Sequence, residues 1–180
     1  MKIVKRIGLF LVAFVALALI LAFFVNGDYK VEREVTINKP KPDVFAYVKL
    51  LKNQNNYSKW ASMDPNMKTS FKGTDGTVGF VSAWESEKDD VGKGEQEIKK
   101  ITEGERIDYE LRFKEPIAST EQAYMITEAV DNNQTKVRWG FEGRMKYPFN
   151  LMCLVMNMDE MVGPDFEQGL TNLKVIMEKQ

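Results

Sequence analysis

"GPDFEQGLTNLKVIMEKQ", residues 163–180, is the stretch whose reading decides the fold. Phe166, Leu170, Leu173 and Met177 recur at spacings of four, three and four, which is one face of a helix. Pro164 suits a first helical position, and Asp165 and Glu167 suit the positive end of the helix dipole. Gly169 sits beside the apolar face, where alanine would be better by about 1 kcal/mol. A glycine there lets a strand or a bulky ring approach the helix backbone closely. The terminal helix is therefore expected to lie against a sheet that curves around it.

The segments upstream supply that sheet. "TKVRWGFEGRM" (135–145) alternates, with Val137, Trp139 and Phe141 set against Lys136, Arg138 and Glu142. "RIDYELRF" (106–113) alternates in the same way, with Ile107, Tyr109, Leu111 and Phe113 on one side. "YKVEREVTIN" (29–38) places Tyr29, Val31, Val35 and Ile37 together, and Arg33 falls on that apolar side as an exception. Further strands are expected around Phe80–Trp84, up to Ile98 and Ile101, and, with weaker alternation, over 118–130. Such patterns belong to half-buried antiparallel strands. Pro42 opens a helix with Val44, Phe45, Val48 and Leu51 on one stripe, and Tyr57 and Trp60 mark a short helical turn. A helical region over 148–161 is expected to end at Gly163-Pro164 before the last helix begins. Strands grouped between helices give an α+β fold: a curved antiparallel sheet of six to seven strands around a long C-terminal helix. Val31, Val35, Trp84, Tyr109, Leu111, Tyr124, Trp139 and Phe141 are expected on its concave side.

The N-terminus is different in kind. Ile7–Val25 is an uncharged apolar run. As a helix it spans about 28 Å, close to a bilayer core of about 30 Å. Lys2, Lys5 and Arg6 precede it, so an uncleaved anchor would leave the N-terminus cytoplasmic and the rest extracytoplasmic. The rival is a cleaved signal peptide, but the Ala-x-Ala at Ala16–Ala18 lies inside the apolar run rather than after it. The expected division is residues 1–28 as basic tip, anchor and tether, and 29–180 as one domain.

Several chemistries are excluded or disfavoured. There is no histidine, which removes Ser-His-Asp and Cys-His catalysis and the commonest general base. Of 25 basic and 26 acidic residues, three basic and one acidic lie in residues 1–28, so the domain carries a net charge of −3. That balance does not favour nucleic acid. "GTDGTVG" and "GKGE" lack the lysine and following helix of a P-loop. Glu85, Glu87, Asp89 and Asp90 lack EF-hand spacing, so no metal site and no cofactor are expected. Cys153, the single cysteine, sits in an apolar run and reads as a small hydrophobe. No residue is assigned a catalytic role.

The order and spacing of "VEREVTINKPKPDVFAYV", "KWASMDPNMKTSFKGTDGTVGFVSAWE", "VGKGEQEI", "IDYELRF", "TKVRWGFEG" and "YPFNLM…GPDFEQGLTNLK" resemble the START-like, helix-grip superfamily. This superfamily includes the polyketide cyclase/dehydrase and lipid-transport group. The resemblance covers about 29–180 and implies a hydrophobic cavity between sheet and C-terminal helix. The residues expected to line it are Arg33, Trp84, Tyr109, Leu111, Phe113, Tyr124, Trp139, Phe141, Phe166, Leu170 and Leu173. The reading is a membrane-tethered, non-enzymatic domain holding a hydrophobic small molecule or lipid. One alternative is a cyclase or dehydratase-type enzyme, whose mark would be an inward carboxylate with a raised pKa. The other is a protein-interaction or regulatory module with a filled core, marked by a cavity below roughly 300 Å³ together with an exposed apolar patch of several hundred Å². Sheet rings pressed tightly onto Phe166 and Leu170, or strands running parallel, would overturn the binding reading together with the architecture.

Overall fold

The computed structural model describes residues 2–179, the side chain of Lys2 excepted. Met1 and Gln180, the outer ends of the two expected segments, lie outside the described residues. Helix α1 (Lys2–Phe24) leads into strand β1 (Asp28–Ile37). Three short helices follow: α2 (Lys41–Lys49), α3 (Gln54–Tyr57) and α4 (Lys59–Met63). Six more strands come next: β2 (Lys68–Lys72), β3 (Val81–Glu85), β4 (Lys93–Thr102), β5 (Arg106–Glu115), β6 (Ser119–Ala129) and β7 (Thr135–Arg144). A 3-10 stretch (Phe149–Leu154) precedes α5 (Met158–Lys179). The strands form one antiparallel sheet in the order β1-β7-β6-β5-β4-β3-β2. Register shifts in the β4–β5 pair, at Lys93/Gly94 and Ile98/Lys100, are bulges that bend the ladder where the sheet curves.

Two elements differ from expectation. β2 was not foreseen, because all five of its residues are exposed and it has no buried face to impose an alternation. It exists as an edge strand on β3. The last helix starts at Met158, not at Pro164, and Pro164 lies within it. The start is set by Asn157, whose Oδ1 accepts from the Asp159 amide at 3.1 Å. Its Nδ2 donates to Glu160 Oε1 at 2.8 Å, which holds the capping side chain against the first turn. Proline then stands in a helix interior, where it normally disrupts one backbone bond. Arg33 fastens that first stretch to the sheet through Asp159.

The concave side divides into two halves. In one, Ile98, Ile107, Tyr109, Met125 and Val137 of the sheet meet Leu170, Leu173 and Met177 of α5 and Val44, Phe45 and Val48 of α2, all buried. Here the glycine in mid-helix finds its reason. A Cβ on Gly169 would lie 2.8 Å from Cζ3 of Trp139. That ring also meets Phe166 at a centroid distance of 4.7 Å and Tyr57 at 5.6 Å, so it cannot step aside. Gly169→Ala would gain about 1 kcal/mol of helix propensity and lose about 2 kcal/mol to overpacking. A net loss of about 1 kcal/mol is expected, read from the midpoint of denaturant unfolding.

Candidate functional site

The other half of the concave side is not filled. A cavity of about 370 Å³ lies between β3–β6, α4 and the first half of α5. Trp84, Leu111 and Phe113 point into it, yet they remain only half-buried, unlike Tyr109 one step along the same face. Trp60, Phe141 and Phe166 close the opposite side. Trp84 lies across Gly94, where a Cβ would come within 2.5 Å of its Cζ2. The Trp84 indole N–H donates to the Val91 carbonyl at 3.2 Å, so this ring is aimed by its own loop.

One cross-strand row sets buried polar groups into the cavity wall. The registers place Ser82, Gln96, Leu111, Glu121 and, across Gly143, Tyr29 side by side on the concave face. Gln96 and Glu121 are buried, and Gln96 Nε2 and Glu121 Oε2 have no hydrogen-bond partner among the described residues. Gly143 makes the row feasible: any Cβ there would run into Glu121 Oε2 and the Tyr29 hydroxyl. Burial raises the Glu121 carboxyl above its usual range. Burial, and then the neighbouring Glu121 carboxylate, pushes the Tyr29 hydroxyl up as well. The Glu121 carboxyl and the Gln96 amide thus face the cavity with hydrogen-bonding capacity that no described residue takes up. Among the described residues no cluster of three or more His, Cys, Asp or Glu is placed to hold a metal.

The expected lining residues separate into groups. Trp84, Leu111, Phe113, Trp139, Phe141 and Phe166 come together around the cavity. Tyr109, Leu170 and Leu173 are in the filled half. Tyr124 is not on the concave face: it pairs with Gly140, whose missing Cβ leaves room for its ring on the convex side. There its hydroxyl donates to Glu32, and the Arg106 guanidinium lies 4.4 Å from the ring centre. Ala123 and Met125 hold the inward positions instead. Arg33 turns toward α5 and makes a bidentate pair with Asp159 at 2.7 and 2.9 Å. Asp159 raises Arg33, and Arg33 holds Asp159 below the usual carboxylate range. Its guanidinium lies directly over Gly163. The expectation that side chains of sheet and helix line a void instead of meeting fails at Phe166, which Trp60, Trp139 and Phe141 all contact. The void lies to one side of that contact.

Sequence reasoning missed Tyr29, Gln96 and Glu121 as a set. The signal was present in β6, where Glu121, Ala123, Met125 and Thr127 keep a period of two. Following Tyr124 instead put the wrong face inward.

A curved antiparallel sheet gripping a C-terminal helix, with an apolar cavity between them, defines a START-like helix-grip domain. A family model described as polyketide cyclase / dehydrase and lipid transport matches residues 28–178, and the chain belongs to that family. No curated protein sequence matches the chain. Among solved structures, truncated norcoclaurine synthase from Thalictrum flavum superposes with a TM-score of 0.64 at 8% identity, covering 87% of this chain and 97% of that one. Ara h 8.0201 gives a TM-score of 0.58 at 14% identity, covering 86% and 100%. The Aha1 dimer from Colwellia psychrerythraea gives 0.53 at 12% identity, covering 83% and 96%. At such identities these likenesses speak for the fold alone.

Proposed function

We propose that this chain is a membrane-tethered receptor for a hydrophobic small molecule or lipid, held between the sheet and α5 without chemical change. The observation that carries this reading is the 370 Å³ cavity, walled largely by aromatic and aliphatic side chains, with the row from Gln96 to Tyr29 as its buried polar part. Its size lies within the 300–1,000 Å³ common for small-molecule pockets and above the limit set for a filled core. α1 supports the tether: Ile3–Phe24 is long and apolar enough to cross a membrane, and its side chains are almost all exposed. With Lys5 and Arg6 ahead of it, the N-terminus lies in the cytoplasm and residues 29–180 form the extracytoplasmic domain. Trp84, Leu111, Phe113, Trp139, Phe141 and Phe166 form the apolar wall against the guest. Arg33, Tyr109, Tyr124, Leu170 and Leu173 lie outside that wall.

The test is native mass spectrometry of the full-length protein released from a non-ionic detergent micelle, with and without added oleic acid. An adduct of a few hundred daltons is expected, and it should vanish in Leu111→Trp, which fills the void. A bare chain mass in every condition overturns the reading.

A second reading has its own observation. Glu121 is an inward carboxylate with a raised pKa inside the cavity, the mark set for a cyclase or dehydratase-type enzyme. A general acid of this kind must come within about 3 Å of the reacting atom. Recovery of the bound molecule decides between the two. A guest extracted unchanged after long incubation supports the receptor, and a guest altered by the wild type but not by Glu121→Gln supports the enzyme.

A further inference from the structure

The connection from β7 to α5 turns large apolar side chains outward. Tyr147, Phe149, Met152, Leu154 and Val155 are all exposed, Val155 to 85%. Single exposed hydrophobes are ordinary on a protein surface, but five within nine residues mark a contact surface.

The same connection holds the end of α1. Helix ends leave their last carbonyls without intrahelical partners. Asn150, buried here, donates Nδ2 to the Ala22 carbonyl at 2.6 Å and to that of Val25 at 2.7 Å. The Tyr147 hydroxyl donates to the Leu19 carbonyl at 3.3 Å. Leu19 precedes the helix end at Phe24 by about 7 Å along the axis. Residues 147–150 therefore run beside the last turns of α1 rather than beyond them. Ala22 is the one buried residue of α1 among those described.

Depth follows from this contact. A helix that crosses a bilayer brings its final turns to the lipid boundary, and whatever is hydrogen-bonded to those turns shares their depth. We propose that residues 147–155 form a foot seated in the lipid leaflet that receives the end of α1. Phe149, Leu154 and Val155 enter the acyl region beside the exposed Phe23 and Phe24. Tyr147, bonded to the Leu19 carbonyl, reaches about 7 Å deeper than Phe24, with its hydroxyl satisfied by that carbonyl. The occupant of this surface is the bilayer itself. Tyr29 and Met158 line both the cavity and the groove behind residues 153–159, so the foot stands at the cavity's lipid-facing end.

This inference rests on α1 spanning a membrane, and its test separates the two. Full-length protein carrying Cys153→Ser receives one new cysteine, labelled with a nitrobenzoxadiazole dye. It is reconstituted into phosphatidylcholine–phosphatidylglycerol vesicles containing spin-labelled lipid, shallow or deep. Leu154→Cys probes the foot, and Phe14→Cys probes the middle of α1. Val130→Cys probes the far end of the domain, a ten-residue strand or about 30 Å away. Quenching at 154 by the shallow label, at least twofold above that at 130, together with deep quenching at 14, is the expected result. Quenching at 14 with none at 154, or equal quenching at 154 and 130, overturns the foot and leaves the anchor standing. No quenching at 14 or 154 overturns both.

Discussion

Leu173→Ala should destabilise the domain by about 2–5 kcal/mol, while Leu111→Ala should cost under about 1 kcal/mol. Both leucines face the concave side of the same sheet, and sequence alone ranks them alike. The structure does not. Leu173 is wholly buried between α5 and the sheet, against a tightly packed set of side chains. Removing its isobutyl end leaves a hole that such rigid neighbours fill only in part. Leu111 already borders empty space and is only half-buried. Its truncation widens a void that exists and removes little contact. For a chain of this size each kcal/mol moves Tm by about 2–4 °C. Thermal unfolding should therefore drop by about 5–15 °C for Leu173→Ala and by less than about 4 °C for Leu111→Ala. Equal losses would mean that the cavity closes in solution, and the proposed guest would lose its place.

The contrast shows what alternation in the sequence can report. The strands at 29–38, 106–113 and 135–145 were readable because each has a wet face and a dry face. The terminal helix was readable from the spacing of Phe166, Leu170, Leu173 and Met177, and Gly169 from its cost in a helix. β2 was not readable, since both its faces are wet. Tyr124 was misplaced because burial and inwardness are separate properties. Its ring is buried on the convex side, over Gly140 and beneath Arg106. The position of the cavity was hidden for a related reason. Period two says which side chains point inward, and it cannot say whether anything stands opposite them. That depends on where α5 and α4 cross the sheet, which is set by distant contacts such as Arg33–Asp159 and Trp139–Gly169.

Glu121 supplies the other large effect, and it appears as a slope with pH. Its carboxyl is buried with Oε2 unpaired, and burial raises its folded-state pKa above the unfolded value of about 4.3. Between those two values the native state binds more protons than the unfolded state. Stability from this group is therefore full below the unfolded pKa and is lost as pH rises through the folded one. Other carboxylates act in the opposite sense: Arg112 holds Glu95 and Glu97 low, and Arg33 holds Asp159 low. Their shared contribution cancels when the wild type is compared with Glu121→Gln across pH. The glutamine keeps the shape of the side chain and removes the charge. At pH 4 the two proteins should melt together. Toward pH 8 the variant should become the more stable by about 1–3 kcal/mol, the cost of leaving a buried polar group unsatisfied, or roughly 3–9 °C in Tm. A difference that stays flat with pH would place the carboxylate in water and leave the cavity without its acidic end. A guest that binds through Glu121 should shrink the difference as it saturates the wild type, because a partner for Oε2 removes the reason the ionised form is costly.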